Sequence, residues 1–322
     1  MKKTVCFLLK AALVLCLVAG FVFGVVMPQY KYNYNASLID KAARLKSIDE
    51  PQIVLLGDSN VAFGFNSALI EEAFGKPVVN MGLHGGLGNA FLEEMAKLNV
   101  TEGDVYIVCP TDFNDNDSIV REDPTLAWLT LENHFDLWRL IRPKDVPTMA
   151  ESFSSYLKKA FELWLTGTGN QDSGDEYSRS AFNEYGDNVW PRPYVEHNEF
   201  FPHPVDFTQQ TVPEIGDATI NRLNALNRYL KARGATLLLA AYPVAYGEYT
   251  PLMSDYQAFE DELVERLEFP VISSYSDYMY DYDYFYDTIY HLVDDGVEMR
   301  TQQLVSDLEW YYEVKDEMWP EE

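Results

Sequence analysis

Apolar positions along the chain alternate between two periods. Short runs of apolar residues, Gln52 to Leu56, Pro77 to Asn80, Asp104 to Cys109, Ala235 to Ala241 and Pro270 to Ser273, have the length and β-branched content of buried strands. Between them lie stretches with helical spacing: Ser37 to Lys46, Ala68 to Phe74, Ala90 to Leu98, Ile220 to Arg233, Tyr256 to Leu267 and Gly296 to Tyr312. Asn66-Ser67 supplies a cap before the second of these helices, and Gly75 ends it. Strands alternating with helices predict an α/β fold with a mostly parallel sheet and helices on both faces. In such sheets sites form beyond the carboxyl ends of the strands.

Two stretches depart from this alternation. Residues 113–213 are too long for a plain loop. They hold aromatic-rich helical patterns at Leu126 to Ile141 and Phe153 to Leu165, then a polar segment from Gly167 to Tyr194, and read as an insertion beside the sheet. At the start, Lys2, Lys3 and Lys10 precede an uncharged apolar run from Ala11 to Met27. That run has no small-x-small cleavage site before Pro28, so residues 1–29 read as an uncleaved signal anchor. The lysines orient it with its N-terminus in the cytoplasm and the rest of the chain outside. Residues 30–50 read as a linker and helix, 51–312 as the main domain, and 313–322 as an acidic tail.

Composition narrows the partners. Apolar residues make up 47% of the 322, which suffices for a sizeable core. There are 24 Lys and Arg against 51 Asp and Glu, a net charge of −27. Such a surface repels phosphate backbones, which argues against nucleic acid as a partner. The three cysteines, Cys6, Cys16 and Cys109, form no pair within the main domain, so no disulfide framework is expected.

The candidate chemistry sits where the strands end. Gly57-Asp58-Ser59-Asn60 places a serine just past the first strand, where the glycine permits a tight turn. Asn80-Met81-Gly82-Leu83-His84-Gly85-Gly86 follows the second strand, and Gly85 can offer its N–H to a developing oxyanion. Asp287-Thr288-Ile289-Tyr290-His291 follows the fifth strand and places a histidine at the same edge, with a carboxylate to orient it.

These blocks, in this order, resemble the SGNH (GDSL-type) hydrolase superfamily over about residues 51–113 and 214–312. The resemblance implies a three-layer α/β/α sandwich with a flavodoxin-like sheet, and an acyl-transfer activity. It implies Ser59 as nucleophile, His291 as base, Asp287 as its orienter, and the N–H groups of Ser59 and Gly85 as oxyanion donors. Asn60, His84, Asp112 and Tyr290 are expected to line the substrate. Two features differ from the family pattern. The acid stands four residues before the histidine rather than three, so either a local bulge brings Asp287 into place or another acid or a carbonyl orients His291. The third block reads Thr111-Asp112-Phe113-Asn114 where the family carries a donor asparagine at the Asp112 position. An ionised Asp cannot donate, so either Asn114 substitutes or the hole has two donors.

An anchored domain of this kind with a large insertion also resembles the proteins that serve membrane-bound O-acyltransferases in wall and exopolysaccharide acylation. That implies an extracytoplasmic serine esterase or O-acyltransferase acting on a cell-surface glycan. The alternative is a non-catalytic accessory protein that binds the glycan or the membrane acyltransferase.

The alternating tyrosines Tyr278, Tyr280, Tyr282, Tyr284 and Tyr286 read either as a platform for sugar rings or as a loop packing on its own scaffold. Asp281, Asp283 and Asp287 lack the glycine and glutamate of an EF-hand loop, and no metal or cofactor is expected. His134, His197 and His203 have no ligand-like spacing.

Overall fold

A computed structural model describes residues 2–318 except 122, 133 and 195–202. Its helices are α1 (Lys2–Phe21), α2 (Ser37–Ser47), α3 (Ser59–Ala62), α4 (Ser67–Phe74), α5 (Asn89–Met95), α6 (Thr125–Leu131), α7 (Val146–Thr166), α8 (Asp217–Lys231), α9 (Met253–Arg266) and α10 (Asp294–Met318). The strands are β1 (Ile53–Gly57), β2 (Val78–Asn80), β3 (Val105–Cys109), β4 (Thr236–Leu239), β5 (Val244–Tyr246) and β6 (Met279–Asp281).

The first four strands form one parallel sheet in the order β2-β1-β3-β4. Their side chains alternate between two apolar clusters. Val54 and Leu56 join Leu38, Phe91 and Leu230 on one face. Ile53 and Leu55 join Ile70, Leu304 and Leu308 on the other. Both faces are therefore covered by helices, which is why the strands read as continuous apolar runs. The chain is an α/β protein with a parallel sheet, as its pattern predicts.

The expected fifth strand, Pro270 to Ser273, is reduced to a single parallel bridge between Leu239 and Val271. Pro270 brings no N–H, and the chain turns at Ser274 into a 3₁₀ turn, so the pairing ends after one step. A two-stranded parallel sheet of β5 and β6 was not expected. The helical pattern of 126–141 is interrupted. Glu132 has φ 29° and ends α6, and 135–140 form a 3₁₀ helix. The helix expected from Phe153 starts at Val146, with Pro147 in its first turn. The closing helix runs on to Met318, so 313–318 of the expected tail are helical; 319–322 lie outside the described residues.

Lys2 to Val26 form 25 helical residues, whose most apolar 18-residue stretch has a mean hydropathy of 2.6 and no burial. This helix is long and apolar enough to cross a membrane. In the expected linker after it, Tyr34, Asn35 and Ala36 are buried, and Tyr34 joins Met27 and Leu38 in the main apolar cluster.

Candidate functional site

Gly57 closes β1 against β3. A Cβ there would stand 2.5 Å from Val61 Cγ2 and 2.8 Å from the Cys109 carbonyl oxygen. Close approach, not an unusual φ, is what requires glycine at this position. Asp58 then caps α3: its Oδ1 accepts from the Asn60 N–H at 2.8 Å and from Asn60 Nδ2 at 2.7 Å. This turn sets Ser59, half-buried, at the rim of a cleft of about 260 Å³.

The cleft is lined by Tyr34, Asp58, Ser59, His84, Gly85, Gly86, Thr111, Arg121, Tyr177, Thr288, Tyr290 and His291. It thus gathers residues from the ends of β1, β2 and β3, from the segment before α10 and from the insertion. The N–H groups of Ser59 and Gly85 have no acceptor among the described residues.

His291 is only 4% exposed and stacks on Phe63, with ring centroids 4.1 Å apart and planes 6° apart. Its Nδ1 lies 2.8 Å from Asp287 Oδ1. The four-residue spacing is absorbed by Thr288, whose Oγ1 accepts from the N–H of Tyr290 at 3.2 Å and of His291 at 3.0 Å. With Nδ1 carrying its proton towards Asp287, Nε2 is the nitrogen left for a group in the cleft. Tyr177, from the insertion, donates its hydroxyl to Asp287 Oδ2 and stands 3.4 Å from His291 Nδ1. Burial pushes the Asp287 carboxyl up, but the His291 hydrogen bond and charge and the Tyr177 hydroxyl outweigh it and hold it below its ordinary pKa. Burial, then the hydrogen bond to Asp287, pushes the Tyr177 phenol up, so it stays a donor.

The ring bonds of His291 run to Asp287 and Tyr177, not to Ser59, although both His291 and Ser59 line the cleft. The remaining sequence candidates divide. His84 and Tyr290 line the cleft. Asn60 does not. It is fully buried, donates to the Cys109 carbonyl at 2.9 Å and accepts from Arg300 at 2.8 Å, so it braces the turn from behind. Asp112 and Asn114 also lie outside the lining: Asn114 is exposed and donates to Asp112 Oδ2 at 2.8 Å within its own turn. Thr111 reaches the cleft instead, but its hydroxyl donates to Asp58.

Sequence reasoning did not find Tyr34, Thr111, Arg121 or Tyr177. Arg121 is the one Arg or Lys of the lining, its side chain 45% exposed and 3.6 Å from Asp112. No spacing rule links these residues to the serine, because the insertion brings Arg121 and Tyr177 in from afar. The insertion is also built into the sheet edge. Asp187 accepts from the Ser67 N–H at 2.9 Å, from the Ser67 hydroxyl at 2.6 Å and from Asn80 Nδ2 at 2.8 Å, and so takes the place of the expected Asn66-Ser67 cap.

The tyrosine series packs on its own scaffold. Tyr278 and Tyr280 are buried, and Tyr282 stacks on Phe207 at 3.8 Å. Among the described residues no cluster of His, Cys, Asp or Glu is arranged to hold a metal ion. His197 lies outside the described residues. Compared with protein-family models, curated proteins and solved structures, the chain matches none.

Proposed function

We propose that the cleft is the active site of an SGNH-type serine esterase or O-acyltransferase. The observation that carries this reading is the convergence of Ser59 with the Asp287–His291 pair in one cleft, from opposite ends of the chain. The Ser59 oxygen attacks an acyl carbonyl while His291 Nε2 takes its proton. The tetrahedral oxyanion draws on the N–H groups of Ser59 and Gly85, a two-donor hole, since Asn114 is engaged elsewhere. Collapse releases the alcohol, protonated by His291, and leaves an ester on Ser59. Water or a sugar hydroxyl then takes the acyl group by the reverse path.

The strand order β2-β1-β3-β4, with Val271 bridged to β4, is compatible with a flavodoxin-like sandwich and supports the same family reading. The cleft, about 260 Å³, is small beside the about 300–1,000 Å³ pockets that enclose drug-sized ligands. It suits a short acyl group such as acetyl, with the rest of a glycan outside. The apolar α1 fits a single-pass anchor with a cytoplasmic N-terminus, which puts the domain beside cell-surface polysaccharide and any membrane-bound O-acyltransferase.

A fluorophosphonate probe tests the nucleophile. The full chain should be labelled, and Ser59→Ala should lose at least nine-tenths of the label. Equal labelling of the variant leaves the accessory reading, in which the protein binds glycan or acyltransferase without chemistry.

A further inference from the structure

Residues 22–30 join α1 to the domain with no slack. A π-helical turn, Val22–Val26, continues α1 directly into Met27, which is wholly buried. Two ring contacts fasten this junction to α7: Phe23 stacks on Phe153 at 6.3 Å, and Phe21 meets Trp164 edge-on at 5.5 Å. The Tyr156 hydroxyl donates to the Met27 carbonyl at 2.9 Å, and Glu132 accepts from the N–H groups of Gln29 and Tyr30, each at 3.0 Å.

A domain held this way cannot swing on a tether. Whatever surface flanks the exit of α1 is carried to the face of the membrane that α1 crosses. That surface is the C-terminal end of α7, and it carries three exposed large apolar residues beside charged ones. Phe161 is 45% exposed, Trp164 36% and Leu165 67%, on one side of the helix, with the Phe161 and Trp164 rings 5.6 Å apart. Lys158 lies one turn before Phe161, is exposed, and stands 4.0 Å from the exposed Glu162 carboxylate. Tryptophan and phenylalanine beside a lysine are the residues that settle at the level of lipid headgroups.

We propose that the Phe161–Trp164–Leu165 end of α7 docks in the headgroup region of the membrane that holds α1. It gives the domain a second point of attachment and so fixes the tilt and height of the cleft above the bilayer. The proposal rests on the reading of α1 as a membrane anchor.

The test uses the full chain in lipid nanodiscs, with lipids brominated near the headgroup as quencher. The wild type should show a quenchable component of tryptophan emission that Trp164→Phe removes. Phe161→Ser/Leu165→Ser, which leaves Trp164 and the buried junction in place, should reduce that quenching at least twofold. Equal quenching in wild type and Trp164→Phe, with the protein still floating with lipid, overturns the docking while the anchor stands. A protein that does not float with lipid overturns the anchor, and the docking with it.

Discussion

The Asp287 carboxylate is tied on both oxygens, to His291 through Oδ1 and to Tyr177 through Oδ2. Its pKa in the folded chain lies below the ordinary value. A carboxyl so depressed contributes stability that is present above its unfolded pKa, about 3.9, and lost as pH falls through the folded value. Tyr177→Phe removes one donor and moves the folded value back up. The acid-unfolding midpoint should therefore rise, with about 1 kcal/mol less stability at neutral pH. An acid titration followed by near-UV circular dichroism reads both, and an unmoved midpoint would falsify the role given to the Tyr177 hydroxyl. His291, stacked on Phe63, takes Oδ1 of Asp287, and the insertion supplies Tyr177 to the second carboxylate oxygen.

At the scale of elements, the junction of β1 with α3 is the tightest part of the site. Gly57 lets β1 and β3 approach, Asp58 caps the turn, and Arg300, fully buried in α10, donates to the Asn60 carbonyl at 2.7 Å and to its side chain at 2.8 Å. Gly57→Ala would press a methyl group against the Cys109 carbonyl, which belongs to a central strand and cannot yield alone. We expect a loss of about 1–3 kcal/mol, read as a lower urea midpoint with an unchanged slope. If the midpoint holds, the strands have more room to separate than the packing suggests. The α3 turn rests on α10, more than two hundred residues away, which is why a four-residue helix can hold a serine in place.

For the whole molecule the decisive contact is Glu132, where α6 stops in a strained conformation to clamp the exit of α1. Non-glycine residues at positive φ cost about 1–3 kcal/mol, so the clamp is maintained by its surroundings. Burial raises the Glu132 carboxyl to about 7, against the pull of the Tyr30 and Gln29 N–H groups. Between its ordinary pKa and about 7 the folded chain keeps a proton that the unfolded chain has lost. Stability from this group is therefore greatest below that window and declines as pH rises through it. Glu132→Gln keeps an acceptor for both N–H groups and removes the charge. Thermal unfolding in nanodiscs should find the variant more stable than wild type above pH 7, by on the order of 1–2 kcal/mol, with a flatter pH dependence below. A variant that is less stable at pH 8 would show that the ionised carboxylate itself is needed.

Local pattern determined a good deal of this protein. The four sheet strands are legible as apolar runs, because a strand buried on both faces has no polar side to show. Gly75 ends α4 at φ 61°, as a glycine after a helical run should. Ser59, Gly85 and His291 were legible as neighbours because a parallel sheet sends its strand ends to one edge, where the turns after β1 and β2 meet a segment about two hundred residues further on. Tertiary structure alone decided the rest. Asn60 looks like a cleft residue beside Ser59 and is buried, since the α3 turn points successive side chains in different directions. Asn114 looks like a donor and is turned to Asp112. The fifth strand shrank to a bridge, and Tyr34, in the expected linker, is buried in the core. Tyr177, Arg121 and Glu132 owe their places to contacts that join residues far apart in the chain, and no local spacing of residue types encodes where such partners fall.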